Sequence, residues 1–407
     1  MSYKIVKITS YYRDFLKQYY TANPQIGFLT YQQQYEQLMN QAYGWADFFE
    51  KNLRMLGVEA YEIVANADML QQTWARENGV VNSGKEVVFE QIKKLKPDVV
   101  FFQDSFVFNG EWITRLREAV PSIKLAIGWC CTNYSKEHVE VFRVFDFFLV
   151  CSRMYVEAFS AHGLRTYELH HAFEPSLLSK IQQSNQYPES QLIFLGSLVP
   201  GKRGHNLRRD VLVKLLDSGL SFDMYAHILT IPPVDLLLRR SAYIVAKSLA
   251  GIGLSRIAKS FPLVRKAYYL EELPGNSKHV EMLGIHAKPS LYGIEMYKAL
   301  SKAKMGFNCH GEGSGEYAAN VRLFEVTGVG SCLVTDWKKN LNELFQIDSE
   351  IVVFTSADEC IEKVQWLINH PKERAEIARR GQERVLRDHT YSLRAEQLNS
   401  LILQNLK

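Results

Sequence analysis

The 407-residue sequence has no run of about 18 uncharged apolar residues, the length that a membrane-spanning helix requires. It has no CxxC pair and no histidine cluster with the spacing of a zinc site. Its net charge of +4 is small for a chain of this length, and it contains no low-complexity tract. We therefore expect no transmembrane helix, no metal site and no nucleic-acid partner.

Cysteine is also scarce, and its distribution bears on the cellular compartment. The six cysteines are Cys130, Cys131, Cys151, Cys309, Cys332 and Cys360. Four of them lie in strand-like apolar runs, so we predict reduced core thiols in a cytosolic protein. The first residues run directly into a strand pattern without the apolar core of a signal peptide, which also favours a cytoplasmic location.

Length and periodicity predict two α/β domains, each of roughly 180–200 residues. Short apolar runs, typical of parallel strands buried on both faces, alternate with helical patterns in two series. The first series is Ile5–Ile8, Val58–Val64, Val99–Phe102, Leu125–Ile127, Phe147–Cys151 and Tyr167–His170; the second is Leu192–Leu195, Phe222–Ala226, Met305–Asn308, Cys332–Thr335 and Ile351–Phe354. This alternation predicts two doubly wound, Rossmann-like domains that face each other across a cleft.

A polar segment, Ser184–Ser190, separates the two series and is predicted to be the linker. The predicted domains are residues 1–183 and 190–385, and residues 386–407 are predicted to form a helix that packs back towards the first domain. In open α/β sheets ligands bind beyond the carboxyl ends of the strands, so functional residues should follow strands.

The first candidate segment follows the first strand of the second series. It begins at Gly196 and carries the cations Lys202 and Arg203. A small-residue loop with two cations can approach a phosphate closely and neutralise it. The alternative is a solvated basic turn.

The second candidate segment, residues 308–315, also follows a strand and is rich in glycine. The backbone amides of this segment, that of Gly311 among them, could donate hydrogen bonds to a phosphate or to sugar hydroxyls. Asn308 and His310 could bind the transferred sugar. The segment matches neither GxGxxG nor Walker A, which disfavours P-loop chemistry. The alternative is a flexible turn with an ordinary histidine.

The third candidate segment, Asn320–Glu325, has the apolar pattern of a short helix packed on a sheet. Asn320 and Arg322 would lie near the start of this helix, where the helix end and the guanidinium both favour anions. Glu325 lies one turn beyond Arg322, and its carboxylate can accept both hydroxyls of a ribose. The alternative is a surface ion pair of little energetic value.

Residues 284–394 resemble the spore-maturation-protein (CgeB-like) group of bacterial glycosyltransferases, which is related to the large retaining glycosyltransferase family. The matching residues are Gly293–Tyr297, Ala303–His310, Asn320–Glu325, Gly328, Leu333–Asp336, His389–Tyr391 and Arg394. The resemblance covers about a quarter of the chain strongly, and the first half matches in architecture alone. It implies the GT-B fold and a nucleotide-diphosphate-sugar donor.

The resemblance also implies roles for single residues. Glu325 would bind the donor ribose, Lys202 and Arg203 would meet the diphosphate, and transfer would proceed with retention. Many relatives carry a second glutamate seven residues earlier, where this chain has Ala318. Glu312 and Glu316 are the candidates to replace it.

Metal dependence can be assessed from the whole sequence. No Asp-x-Asp triplet occurs, although metal-dependent transferases commonly use one to hold a divalent ion on the diphosphate. With Lys202, Arg203 and Arg322 available as cations, we predict a metal-independent enzyme with no cofactor.

The first half offers weaker candidates for the acceptor side. Asp104, which follows a strand, is a candidate general base beside His310, and Asn133 is a candidate acceptor contact. A tyrosine-rich segment, residues 10–43, suits sugar recognition, and Tyr11 and Tyr12 are its candidates. The alternative is a helical insertion over the sheet.

A basic insertion is predicted at residues 232–272 of the second domain. Its segment 236–270 carries seven cations, Arg239, Arg240, Lys247, Arg256, Lys259, Arg265 and Lys266, and no acid. The chain's charge of +4 therefore leaves the rest at −3. Cations interleaved with apolar residues suit an anionic membrane surface, which predicts a peripheral location at the inner face of the cell membrane. The alternative is a helical insert packed on the body.

Taken with the family resemblance, these patterns predict transfer of a sugar from a nucleotide-diphosphate sugar to a glycan, lipid-linked or protein acceptor. Two alternatives remain open. A sugar-nucleotide epimerase has the same two-domain fold and would form product without an acceptor. A non-catalytic sugar- or lipid-binding module would bind without turnover.

Overall fold

The computed structural model describes residues 3–182, 187–198, 206–228, 231–270, 272–311 and 315–406. The described residues form two parallel β-sheets, and helices pack on both. The first sheet has six strands in the order β2-β1-β3-β4-β5-β6, and the second has five in the order β11-β10-β9-β7-β8. The predicted pair of Rossmann-like domains is therefore confirmed.

The strands coincide closely with the apolar runs of the sequence. In the first sheet they are β1 (Lys4–Thr9), β2 (Glu59–Val64), β3 (Val99–Phe102), β4 (Leu125–Cys130), β5 (Phe147–Val150) and β6 (Thr166–Glu168). In the second they are β7 (Ser190–Leu198), β8 (Asp223–Ile228), β9 (Ala303–Asn308), β10 (Cys332–Asp336) and β11 (Val352–Phe354). Every residue of β3, β4 and β5 is buried, as expected for parallel strands covered on both faces.

Helices connect successive strands. In the first half they are α1 (Arg13–Ala22), a 3-10 helix (Pro24–Phe28), α2 (Tyr31–Met39), α3 (Phe48–Met55), α4 (Asp68–Glu77), α5 (Lys85–Leu95), α6 (Gly110–Ala119), α7 (Lys136–Phe142), α8 (Arg153–Ala161) and α9 (Leu177–Gln182). In the second they are α10 (Asn206–Asp217), α11 (Pro233–Gly251), α12 (Ser255–Ser260), α13 (Pro262–Tyr268), α14 (Lys278–His286), α15 (Gly293–Ser301), α16 (Arg322–Gly328), α17 (Leu341–Leu344), α18 (Ala357–Asn369), α19 (Pro371–Asp388) and α20 (Tyr391–Asn405).

The strand orders place a topological switch point in each sheet. In the first sheet β1 lies between β2 and β3, and in the second β7 lies between β8 and β9. Chain connections leave the sheet in opposite directions at these strands, which opens a crevice beyond their carboxyl ends. The segments that follow β7 and β9 therefore border one crevice of the second sheet.

The C-terminal helix crosses back to the first half, as predicted. Thr390 accepts a hydrogen bond from the backbone N–H of Leu393 and so caps α20. Along α20, Asn399 accepts a hydrogen bond from the hydroxyl of Tyr3 at 2.9 Å, and Gln397 donates to the carbonyl of Glu168 at 3.0 Å. The helix thereby ties the end of the chain to the first sheet.

Backbone contacts also join the two halves near the start of α20. The amide of Phe173 donates to the carbonyl of His389 at 2.9 Å, and the amide of Tyr391 donates back to Phe173 at 3.1 Å. The guanidinium of Arg394 donates to the carbonyl of His170 at 3.0 Å. We call this group, Phe173 with His389, Tyr391 and Arg394, the crossover contact.

A second contact between the halves depends on a glycine. Gly293 has a φ of +54°, and a Cβ there would lie 2.0 Å from the carbonyl oxygen of Gln41. The same carbonyl accepts a hydrogen bond from the amide of Ile294 at 2.6 Å. Only glycine combines this backbone conformation with so close an approach.

The basic insertion is helical and contains α11, α12 and α13. It has a small core of its own, formed by Ala242, Ala246 and Ala267. Among the described residues, no helix is both long and apolar enough to cross a membrane.

The prediction of six reduced cysteines is wrong for two of them. Cys131 and Cys151 form a disulfide, and the other four cysteines are free and buried. The cause is strand register, because Cys130 at the end of β4 pairs with Val150 at the end of β5. The next residue of each strand therefore lies beside the other.

The exact domain boundaries, 1–183, 190–385 and 386–407, stay predictions. Residues 183–186, the last residue of the predicted first domain and the start of the predicted linker, fall outside the described part of the chain. Helix α19 begins at Pro371, as the sequence predicts for a proline at the first helical position. The break between α19 and α20 falls at His389 and Thr390, a few residues after the predicted boundary.

Candidate functional site

A buried arginine joins the two strand ends at the switch point of the second sheet. Arg208, near the start of α10, donates from Nε to the carbonyl of Cys309 at 3.0 Å and from Nη1 to the carbonyl of Ser197 at 3.1 Å. These carbonyls follow β9 and lie near the end of β7, respectively. The guanidinium therefore fixes the distance between the two segments that border the crevice.

A chain of side-chain hydrogen bonds crosses the same end of the sheet. The Nδ2 of Asn308 donates to the hydroxyl of Thr335 at 3.0 Å, and its Oδ1 accepts from Asn320 at 2.9 Å. Asn320 in turn accepts from the backbone N–H of Arg322 at 2.9 Å. These contacts bring together the second and third candidate segments and fix the start of α16.

His310 is buried and held by a carboxylate. Its backbone N–H and its Nδ1 lie 2.8 Å and 2.7 Å from Oδ1 of Asp336. Burial alone would raise the pKa of Asp336. The hydrogen bonds and charge of His310 nevertheless hold this pKa below its usual value. Because an ionised carboxylate only accepts, Nδ1 carries a proton. The other ring nitrogen, Nε2, is buried without a hydrogen-bond partner in the described structure.

A lysine completes this cluster. Lys338 lies with its Nζ 3.5 Å from Oδ2 of Asp336 and donates to the carbonyl of Gly315 at 2.8 Å. Its side chain is largely buried. The ammonium therefore connects the end of β10 to the glycine-rich segment after β9.

Arg322 and Glu325 form an ion pair with 2.6 Å between Nη1 and Oε2. The side chains are only 16% and 7% exposed, so the alternative of a weak surface pair does not apply. The other carboxylate oxygen, Oε1, accepts from the hydroxyl of Tyr297 on α15 at 3.2 Å. Burial and the charge of Glu325 raise the pKa of Tyr297, which keeps it a neutral donor. Each oxygen retains capacity for a further hydrogen bond.

The predicted phosphate loop lies only partly within the described residues. Lys202 and Arg203 lie outside the described residues. Gly196 lies within β7 and not in the loop, because pairing with β8 continues to Leu198. A Cβ at Gly196 would lie 2.8 Å from the ring of Phe194, so packing accounts for this glycine. Gly311 follows β9 in irregular backbone and is half-buried.

Ala318 stands where many relatives have the second glutamate, and its backbone is hydrogen-bonded. Ala318 is buried, and the side chain of Asn340 accepts from its amide at 2.6 Å and donates to its carbonyl at 3.1 Å. Of the two candidate replacements, Glu316 is highly exposed and lies 4.0 Å from Lys339, whereas Glu312 lies outside the described residues.

The acceptor candidates of the first half are dispersed. Tyr11 is buried in the core against Phe15 and Tyr43, a position that packing explains, and its role in acceptor binding stays a prediction. Tyr12 is 71% exposed, and Asn133 is exposed after β4. Asp104 follows β3 at the switch point, where partial burial raises the pKa of its carboxyl group.

A groove of about 810 Å³ lies between the two halves. Its lining on one side comes from α1, including Asp14, Lys17 and Gln18, and on the other from the end of β8 and the residues before α15. His227 of β8 lies 3.4 Å from Asp14 across it. None of the predicted donor residues within the described structure lines this groove, so it is a separate candidate for acceptor binding.

A group with ligand-type atoms occurs in the first half. The sulfur atoms of Cys131 and Cys151 and a ring nitrogen of His171 lie within 4.8 Å of one another. The two sulfurs are bonded to each other, and burial lowers the pKa of His171 to about 3.

Sequence reasoning missed four site residues: Arg208, Tyr297, Asp336 and Lys338. Asp336 and Tyr297 stood within the resembling segments, but a buried carboxylate beside a strand has no spacing signature of its own. Arg208 and Lys338 look like ordinary surface cations in the sequence. Only the strand order brings these four to the same crevice.

The fold and the matched sequence together define a protein class. Two parallel-sheet α/β domains with a C-terminal helix that crosses back have the GT-B architecture of glycosyltransferases. Residues 263–400 match the family model described as glycosyl transferase-like, which confirms the predicted enzyme class. A sequence comparison with curated proteins gives no match.

Solved structures support the fold over the whole chain. An α-glucosyltransferase in complex with UDP-glucose and DNA containing an abasic site has a TM-score of 0.57 at 12% identity and covers 99% of this chain and 100% of its own. Anabaena HepE in complex with UDP-glucose has 0.56 at 9%, covering 99% and 100%. Sucrose-phosphate synthase from Thermosynechococcus elongatus has 0.53 at 11%, covering 98% of each. At these identities the likeness concerns the fold.

Proposed function

We propose that the protein transfers a sugar from a nucleotide-diphosphate sugar to a hydroxyl acceptor, with the donor at the switch point of the second sheet. The observation that carries this proposal is the buried assembly of Arg322, Glu325 and Tyr297 on the same sheet end as Asn308 and Asn320. A buried ion pair with unused acceptor capacity fits a ribose and a phosphate better than it fits a structural role alone.

In this proposal Glu325 accepts the two ribose hydroxyls, and Arg322 neutralises part of the diphosphate charge. Lys202 and Arg203 remain the proposed diphosphate contacts from the loop after β7. His310 binds the transferred sugar through Nε2, the buried atom without a described partner, while Asp336 fixes the ring. The backbone amide of Gly311 donates a hydrogen bond to the donor.

The proposed reaction is metal-independent and proceeds with retention. The whole sequence lacks an Asp-x-Asp triplet, and side-chain cations would stabilise the leaving diphosphate. Membership in the spore-maturation group remains a proposal that rests on the resembling residues. Closure of the two halves would exclude water and align the acceptor hydroxyl with the anomeric carbon.

The first half is proposed to bind the acceptor, a glycan, a lipid-linked sugar or a protein. Tyr12 and Asn133 are its exposed candidate contacts, and Asp104 is the candidate base because its raised pKa favours proton uptake. The proposed location is cytoplasmic, at the inner face of the cell membrane. Because Cys131 and Cys151 form a disulfide, only the four free cysteines support a reducing compartment.

Because neighbours of the same fold are complexed with UDP-glucose, UDP-sugars are the first donors to test. A thermal-shift screen against nucleotide sugars should raise the melting temperature for one donor, since a ligand of the folded state stabilises it. The same donor should give no shift with Glu325→Ala protein that is folded by circular dichroism. Equal shifts for both proteins would contradict the assigned site.

Two other functions make different predictions with the donor found in this way. A sugar-nucleotide epimerase would convert the donor with no acceptor present. A non-catalytic module would bind the donor and never release nucleoside diphosphate. Chromatography of donor incubated alone and with a cell glycolipid or glycan extract separates the three outcomes, and release that depends on the extract supports transfer.

A further inference from the structure

The exposed apolar side chains of this protein are concentrated in the basic insertion. Of the twenty-one large apolar side chains that are exposed among the described residues, thirteen lie between Val234 and Leu273. This segment is about one tenth of the chain. Single exposed apolar residues are ordinary on protein surfaces, whereas a cluster marks a surface that contacts an apolar partner.

Helix α11 shows how the cluster is built. The fully buried residues of its inward face are the small Ala242 and Ala246, which pack against α13 together with the half-buried ring of Tyr243. On another face, apolar side chains recur at helical spacing and are exposed: Val234, Leu237, Leu238, Ile244 and Val245. A helix of a water-exposed domain normally turns its large apolar side chains inward. Here five large apolar side chains face outward.

The neighbouring helices extend this surface. Ile257 on α12, Phe261 between the helices, and Leu263 on α13 are each more than 40% exposed. The connecting residues Ile252 and Leu254 are exposed as well. We call these exposed side chains of residues 234–273 the apolar surface of the insertion.

Positive charge accompanies the apolar surface. The seven cations of residues 236–270 are all exposed, and none forms an ion pair with a described residue at salt-bridge distance. Three have local roles: Arg240 donates to the carbonyl of Pro274, Lys247 donates to that of Tyr268, and Lys259 lies over the Tyr268 ring. Of the others, Arg265 lies close enough to Glu137 of α7 for its charge to act on that carboxylate, and Arg239, Arg256 and Lys266 have no such contact within the described structure.

We propose that this face of the basic insertion docks on a membrane that contains anionic lipid. Apolar side chains would enter the boundary between headgroups and acyl chains, and the cations would meet the anionic headgroups. Charge complementarity favours this partner. Residues 236–270 carry a charge of +7 and no acid, whereas the rest of the chain carries −3, so this segment is suited to a uniformly negative surface.

Docking in this orientation relates to the groove between the halves. Ile228 lines the groove, and the insertion begins only a few residues further along the chain. A docked insertion would therefore hold one rim of the groove near the bilayer. This part of the inference rests on the proposed function, and it favours a lipid-linked acceptor over a protein acceptor.

The test is co-sedimentation of the full-length protein with two kinds of vesicle. One consists of phosphatidylcholine alone, and the other contains about a third phosphatidylglycerol, an anionic lipid. We expect binding to the anionic vesicles, weakened by salt, and little binding to the neutral ones. The charge variant is Arg239→Gln, Arg256→Gln, Arg265→Gln and Lys266→Gln. At about fivefold per cation, the four substitutions together should lower its partition by roughly 600-fold.

The apolar variant is Leu237→Ser with Ile244→Ser. The parent side chains are 67% and 59% exposed, so these substitutions should not affect folding. It should weaken vesicle binding at least about tenfold. The matched control, Lys93→Gln, Lys94→Gln, Lys96→Gln and Lys372→Gln, removes the same charge from exposed positions elsewhere and should bind as the parent does.

Three results would overturn the inference. One is absence of sedimentation with anionic vesicles, and another is equal loss of binding in the control and charge variants. The third is self-association that the apolar variant abolishes, without vesicle binding by the parent, which would assign the surface to a second copy of the chain. The thermal shift with nucleotide sugar should be unchanged in all variants, so a failure of docking is distinguishable from a failure of the donor site.

Discussion

Replacement of Gly328 by alanine tests how tightly the site helix is held against the first half. Gly328 ends α16, the helix that carries Arg322 and Glu325. A Cβ at this position would lie 2.3 Å from Cγ and 2.5 Å from Cδ2 of Phe173, distances that real Cβ atoms do not adopt. One of the two groups must therefore move.

The ring of Phe173 has little freedom to move. It is completely buried, and the crossover contact holds its backbone through hydrogen bonds to His389 and from Tyr391. Overpacking of a closed core costs typically 1–3 kcal/mol, and the rigid surroundings place Gly328→Ala near the upper end, at about 3 kcal/mol. For a domain of this size the melting temperature should fall by roughly 6–12 °C.

The assay is urea and thermal unfolding of Gly328→Ala beside Gly251→Ala. A Cβ at Gly251, the last residue of α11, would meet nothing within 4 Å. That control should be as stable as the parent or slightly more stable, because alanine is the better helix former. In the double variant with Phe173→Leu, the alanine should cost less than it does alone. A Gly328→Ala protein within about 0.5 kcal/mol of the parent would refute the predicted packing.

Three further predictions concern the site, the crossover contact and the cysteines. Glu325→Gln should weaken nucleotide-sugar binding at least about tenfold by calorimetry, whereas Tyr297→Phe, which removes only the supporting hydrogen bond, should change it less than about threefold; equal effects would contradict the assigned roles. Burial lowers the pKa of His389 to about 4, so the unfolded chain takes up the proton first as pH falls below about 6.5. The contribution of His389 to stability should be complete above that pH and fall by about 1.4 kcal/mol per unit towards pH 4, and His389→Gln should show a shallower slope than the parent in urea titrations at several pH values; an unchanged slope would speak against this cause. Alkylation of the denatured, unreduced protein should label four of its six cysteines by mass spectrometry, and six labels would mean that the disulfide does not form.

The sheet strands were predictable because parallel strands in the centre of an α/β domain are buried on both faces. Each strand of the described structure overlaps one predicted apolar run, from Lys4–Thr9 to Val352–Phe354. Strand ends were less predictable, since hydrogen bonding to a neighbour and not side-chain character determines them. Gly196 shows this, because pairing with Ala226 keeps it inside β7.

Side-chain burial at the site depends on packing that the sequence does not reveal. Tyr11 and Tyr12 are adjacent in the chain, yet one is in the core and the other is exposed. The ion pair of Arg322 and Glu325 has the spacing of a surface pair, yet it is buried, and Tyr297 of α15 donates a hydrogen bond to it. Similarly, the disulfide follows from the register of β4 and β5.

The residues of the family resemblance divide into two structural groups. One group, Asn308, His310, Asn320, Arg322 and Glu325, lies at the switch point of the second sheet. The other, Gly293, Gly328, His389, Tyr391 and Arg394, holds the two halves together. The resemblance therefore contains information on how the cleft is fixed as well as on what it binds.

The central claim is that the crevice beyond β7 and β9 binds a donor whose sugar is then transferred. The most direct measurement is release of nucleoside diphosphate from the donor found in the thermal-shift screen, with and without an acceptor extract. We expect release that requires the extract, with a glycosylated product, and loss of both in folded Glu325→Gln protein. Release without any product, or unchanged transfer by the variant, would contradict the account.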